Sequence, residues 1–209
     1  MDRLPTLRVT RAGAWIVRAG IALAVGAGLA ACGEETTVTP EPPTRRSEAV
    51  AARHEDPAER FCDVSHPVGE GPLLALPHTE GAAMPTEGWR WINVWATWCH
   101  PCLEEMPTLR AWPARMAAED ASVTLSFLSV DATAEAVTTY RAANADAPET
   151  ARLDDPGGMP ALLTALGLDA GATIPIHVLV DPTGHVRCAR TGSIAERDYA
   201  TLRDIVRGR

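Results

Sequence analysis

The sequence predicts an α/β fold in which a mixed central sheet is covered by helices on both faces. Three observations carry this. Apolar runs of strand length recur at residues 89–95, 123–130 and 176–180. Helical patterns fall between and after them, at residues 100–118, 134–144 and 196–207. Asp181-Pro182-Thr183-Gly184 then turns the last apolar run back on itself as a hairpin. Strand–helix–strand units give parallel neighbours and a hairpin gives an antiparallel one, so the sheet is mixed and needs cover on both sides.

The first 31 of the 209 residues stand outside this pattern. Arg3, Arg8, Arg11 and Arg18 make a basic start, followed by an apolar run over residues 19–31 that ends in small side chains. A run of 13 residues has the length of an export signal and falls short of the ~20 that span a bilayer. Leu29-Ala30-Ala31-Cys32-Gly33 resembles a bacterial lipobox, which predicts cleavage before Cys32 and acylation of its sulfur and new amine. Two or three acyl chains, at about 0.8 kcal/mol per buried CH2, hold a protein durably on a membrane. The other reading is an ordinary secretory signal with an unmodified Cys32. Either way the expected location is extracytoplasmic. Residues 32–60, rich in Thr, Pro, Glu, Arg and Ala, read as a disordered tether, leaving 61–209 as the globular domain.

Without the signal the chain carries 15 arginines against 26 acids, a balance of −11, and lysine is absent throughout. That acidity disfavours nucleic acid and anionic headgroups as partners.

Within the domain, residues 73–76 (Leu-Leu-Ala-Leu) read as a short strand between turns. Residues 89–95 form the first core strand, and 100–118 a helix bent near Pro107 and Pro113. The second strand, 123–130, precedes a helix over 134–144. Residues 144–160 have loop composition, with one or two helical turns at 161–166. The third strand, 176–180, enters the hairpin and a fourth strand at 185–191. The closing helix aligns Tyr199, Leu202, Ile205 and Val206 on one face.

The chemistry is concentrated in Trp98-Cys99-His100-Pro101-Cys102. A strand that delivers a thiol to a helix start makes it acidic, because unpaired N–H groups and the helix dipole favour the thiolate. Pro101 suits the first helical turn, where its missing N–H would go unpaired anyway. Two cysteines at this spacing can close a small disulfide ring, which points to thiol–disulfide exchange. Of the other three, Cys32 goes to lipid, and Cys62 and Cys188 remain. In an oxidising compartment they can bridge, worth about 2–4 kcal/mol, or stay apart as two separate cysteines.

From about residue 73 to 207 the chain resembles the thioredoxin fold, and within it the TlpA/ResA-type thioredoxins tethered outside the bacterial inner membrane. The resemblance rests on Asn93-Val94-Trp95-Ala96-Thr97-Trp98-Cys99, the Cys102-Leu103-Glu104-Glu105-Met106-Pro107 continuation, Ile174-Pro175 and the Asp181-Pro182-Thr183-Gly184 turn. It implies that Cys99 is the attacking thiolate and Cys102 the shielded resolving thiol. Pro175 would be a cis-proline facing them, with the Ile174 backbone pairing to the substrate chain and Trp98 shaping the surface. Asn93 stands where many thioredoxins have a buried aspartate, and asparagine cannot titrate. Glu105 falls where the ResA-type branch places a glutamate able to exchange protons with Cys102; it also suits the helix dipole as a plain acid. His100 directly follows the first cysteine, whereas oxidising members place a histidine before the second. A charged imidazole there would stabilise the Cys99 thiolate and make the disulfide more oxidising; an exposed histidine without effect is the alternative.

The family's customary work is to keep envelope thiols, including those of apocytochrome c, reduced with electrons from a membrane-embedded thiol reductase. The resemblance therefore implies a protein disulfide reductase with no cofactor. An oxidase or isomerase of the same fold, or a non-catalytic docking module, are the alternatives. Structural zinc needs a second close ligand pair, which Cys62, Cys188 and the histidines do not supply. Haem attachment fails because Leu103, rather than histidine, follows Cys102.

Overall fold

The computed structural model describes residues 56–155 and 157–208. Seven strands form one sheet: β1 (Val64–Ser65), β2 (Thr79–Gly81), β3 (Arg90–Trp95), β4 (Thr124–Ser129), β5 (Thr150–Leu153), β6 (Ile176–Val180) and β7 (Val186–Thr191), in the order β1-β7-β6-β3-β4-β5-β2. β3, β4 and β5 run parallel, while β6, β7, β1 and β2 join antiparallel. The helices are α1 (Pro57–Phe61), α2 (His100–Ala117), α3 (Ala134–Ala143), α4 (Gly158–Leu166) and α5 (Tyr199–Val206), with a 3-10 turn at Glu196–Asp198. A mixed sheet with helices on both faces is the architecture the sequence predicts.

β3 lies at the centre, buried along its whole length, and its side chains alternate between the two cores as the strand pleat requires. Trp91 and Trp95 pack into one cluster with Leu109, Trp112 and Met116 of α2 and with Leu202 and Ile205 of α5. Ile92 and Val94 enter the other with Leu128, Val178 and the α4 residues Leu162 and Leu166. The expected face of the closing helix holds: Tyr199, Leu202, Ile205 and Val206 are its buried residues.

Several boundaries differ from expectation. The tether read over 32–60 overlaps α1, which Asp56 caps by accepting from the Ala58 N–H at 2.9 Å. Ala58 and Phe61 are buried in the core, and so the folded part starts earlier than residue 61. Residues 73–76 form no strand; Leu73 contributes a single bridge to His185. Pro72 and Pro77 on either side lack the N–H a ladder needs. The loop read over 144–160 contains β5 and the start of α4. β5 is fully buried although two of its four residues are polar, because their polar atoms are matched. Thr150 Oγ1 accepts from Trp95 Nε1 at 3.1 Å and donates to the Phe127 carbonyl, while Arg152 Nε donates to Glu80 Oε1 at 2.8 Å. α2 runs as one element through Pro107 and Pro113.

Candidate active site

β3 ends at Trp95, and the chain then turns sharply into α2. Cys99 N donates to the Ala96 carbonyl at 3.0 Å, closing the turn. Thr97 is pinned beside it: its N–H and Oγ1 both donate to the buried Asp131 carboxylate, at 3.0 and 2.7 Å. Asp131 is itself steadied by Ser129 Oγ at 2.8 Å. The reactive segment therefore hangs between the ends of two adjacent parallel strands, β3 and β4.

Cys99 is the N-cap of α2, with extended backbone, and its sulfur accepts from the Cys102 N–H at 3.3 Å. Pro101 occupies the first turn. Cys99 and Cys102 are joined, with Cα atoms 5.3 Å apart. Cys99 keeps 5% of its surface exposed and Cys102 none, so Cys102 offers a partner no surface. On reduction, Cys99 sits where backbone N–H groups and the dipole favour negative charge.

Trp98 is exposed at 68% beside Cys99. Together with Cys99, His100, Pro101 and Ile174 it lines a mainly apolar groove of about 630 Å³, whose other side is formed by Val130, Leu153, Met159, Ala172 and Thr173. Trp98, His100, Pro101 and Ile174, which the sequence reading places at the substrate face, thus share one groove with Cys99. Pro175, the fifth residue of that reading, is buried; the Ile174–Pro175 bond is cis, and the Pro175 carbonyl accepts from Gly192 N at 2.9 Å. His100 points to solvent, its Nδ1 3.5 Å from Glu104 Oε1, and both side chains are largely exposed.

Glu105 lies inside rather than on the surface. Its Oε1 accepts from Asn93 Nδ2 at 3.1 Å and its Oε2 from the Ile194 N–H at 2.8 Å. Asn93 is fully buried on β3, and the buried His177 of β6 stands opposite it in register. Being three residues apart on α2 and both buried, Cys102 and Glu105 share its inward face. Cys62 and Cys188 are bonded to each other, Cα atoms 5.5 Å apart, tying the end of α1 to β7. Cys32 lies outside the described residues.

Sequence reasoning missed Asp131, Met159 and His177. Asp131 ends an apolar strand, where an acid reads as a solvated boundary. His177 interrupts the run Ile-His-Val-Leu-Val, and its burial between apolar neighbours was the available signal. Among the described residues, no three or more His, Cys, Asp or Glu side chains gather as a metal site. No helix among them is long and apolar enough to cross a membrane.

No family model and no curated protein sequence matches the chain. Solved structures do resemble it. They include StoA from Bacillus subtilis (19% identity, 63% of this chain and 98% of that one, TM-score 0.44). A thioredoxin-related protein from Neisseria meningitidis serogroup B matches at 22% identity over 60% of this chain and 89% of that one, with TM-score 0.47. A thiol:disulfide interchange protein of the thioredoxin family from Chlorobium tepidum TLS matches at 22% identity over 57% and 79%, with TM-score 0.44. At these identities and TM-scores no activity passes from those proteins to this chain.

Proposed function

We propose that this protein is an extracytoplasmic thiol–disulfide oxidoreductase that reduces disulfides of exported proteins through the Cys99/Cys102 dithiol. The observation that supports it is the placement of the two sulfurs: one caps a helix in a residue that keeps 5% of its surface exposed, the other belongs to a fully buried residue one turn further on.

The reaction proceeds in two exchanges. The Cys99 thiolate attacks one sulfur of the partner's disulfide; a mixed disulfide forms and the partner's other sulfur leaves as a thiolate. Cys102, as thiolate, then attacks Cys99 Sγ and expels the partner's second sulfur. The partner gains two electrons and its thiolates take up two protons, while Cys99–Cys102 ends as the disulfide. The apolar groove beside Cys99 suits an extended segment carrying uncharged side chains, with the Ile174 backbone at its edge. A membrane-embedded thiol reductase returns the two electrons. The lipobox-like sequence supports an anchor through Cys32, and apocytochrome c cysteines are among the substrates this reading admits.

The test is reduction of insulin disulfides with a chemical electron donor. Wild-type protein is expected to accelerate turbidity and Cys99→Ser to abolish the acceleration. Acceleration that survives in Cys99→Ser, or is absent in the wild type, would overturn the reading.

A further inference from the structure

Beneath the disulfide lies a polar cluster that the exchange steps above do not use. His177 is 1% exposed and sits in the middle of β6. Trp91 Nε1 faces its Nδ1 at 3.3 Å, and Asn93 Nδ2 faces the same atom at 3.5 Å. An indole nitrogen can only donate, so Nδ1 is the acceptor and the ring hydrogen sits on Nε2. That Nε2 lies 3.3 Å from Glu105 Oε1, off hydrogen-bond alignment, and has no hydrogen-bond partner among the described residues. A buried N–H is costly unless paired, and Glu105 is the acceptor within reach.

Glu105 in turn joins two parts of the site. Its backbone belongs to the helix that carries Cys102, and its Oε2 holds the Ile194 N–H of the loop after β7. The same loop, through Gly192 N, holds the Pro175 carbonyl. The remaining charged side chain beside His177 is Arg190, its register partner on β7, whose guanidinium turns to the Phe61 carbonyl and ring.

We infer that His177 is a positioning residue for thiol–disulfide exchange: with Asn93 it fixes the Glu105 carboxylate, which ties the helix bearing Cys102 to the loop that seats Pro175. The inference rests on the exchange role proposed for Cys99 and Cys102. It assigns a task to a histidine that composition and spacing alone would leave as core. Without the imidazole, Glu105 keeps Asn93 and the Ile194 N–H but loses the polar neighbour on its third side, and the Cys102 turn is held less firmly to that loop. The relative stability of disulfide and dithiol then changes, because the two forms place different demands on the Cys102 sulfur.

The experiment is the equilibrium constant of Cys99–Cys102 with glutathione, measured on the whole protein without any protein substrate. His177→Phe, which keeps a ring and removes both nitrogens, is expected to change the constant about threefold to tenfold, the order of one buried polar contact. His177→Gln, whose amide can still donate, should bring it back to within about twofold of wild type. In a Glu105→Ala background, which removes the acceptor, His177→Phe should add little, because both changes remove the same contact. If His177→Phe fails to fold, His177→Asn, a shorter amide, should show the same displacement. A constant unchanged in the folded variant, even with a lower melting temperature, overturns the inference; so does full additivity with Glu105→Ala. Failure of the reductase reading would show separately, as absent insulin reduction with this equilibrium still measurable.

Discussion

Cys99 Sγ accepts a hydrogen bond from the Cys102 N–H at 3.3 Å, so one sulfur is both the cap of α2 and the less buried half of the disulfide. A helix start leaves its first N–H groups unpaired, and side-chain oxygens ordinarily meet them. Here sulfur takes that place, and a thiolate accepts better than a thiol. Cys102 has no such arrangement, since its sulfur belongs to a fully buried residue inside the helix.

The dithiol form should therefore alkylate unevenly. Iodoacetamide is expected to modify Cys99 with a pH midpoint well below the ~8.5 of a free thiol, while Cys102 stays protected. Mass spectrometry of the alkylated protein across pH checks this. A midpoint at the ordinary thiol value, or equal labelling of both, would contradict it.

His100 adjoins that sulfur but is solvated, and its contact with Glu104 is an exposed i,i+4 pair. Exposed charge interactions are small, so His100→Ala should lower the reduction potential by only about 5–20 mV. The direction follows from losing an N–H donor beside the sulfur, which favours the thiolate of the reduced form. A rise in potential would remove any such role for the imidazole.

Cys62–Cys188 closes a separation of 126 residues and fastens α1 to β7. Replacing both with serine should cost about 2–4 kcal/mol of stability, read as a lower melting temperature. Insulin reduction per folded molecule should stay near wild type. An equal loss of turnover would place this pair in the exchange mechanism.

Asp181 gives the chain an acid-sensitive joint. Burial pushes its carboxyl up, but Thr183 Oγ1 and the amides of Gly69, His185 and Thr183 donate to it and bring it below the ordinary 3.8. A carboxylate held low in the fold binds protons more readily when unfolded. Its contribution is therefore complete above the unfolded value and fades as pH falls through the folded one. Denaturant titrations below pH 4 should show a shallower loss of stability in Asp181→Asn than in wild type, with the variant already weaker at neutral pH. Parallel acid limbs would contradict this.

What the sequence disclosed was whatever burial writes in apolar letters. Large apolar residues recur through β3, β4 and β6, and the thiol pair announces its own helix start. β5 escaped because its burial is achieved by pairing, with Arg152 held between Glu80 and Asp154, and no hydrophobic pattern records an ion pair. β1, two residues long, is too short for any period to emerge. At the site, Trp98, His100 and Pro101 were legible because they neighbour the cysteines, and Ile174 because a proline follows it. Asp131 reaches the site from just beyond the end of β4, and His177 from β6. Their importance lies in what they face, which only the folded chain reveals.

The stretch from Thr150 to Leu166 carries neither sulfur, yet it sends Leu153 and Met159 to the far wall of the groove. On the proposed function, part of client choice is written away from the dithiol. Substitutions at Leu153 or Met159 can retune which proteins are served while leaving the voltage of the dithiol as it was.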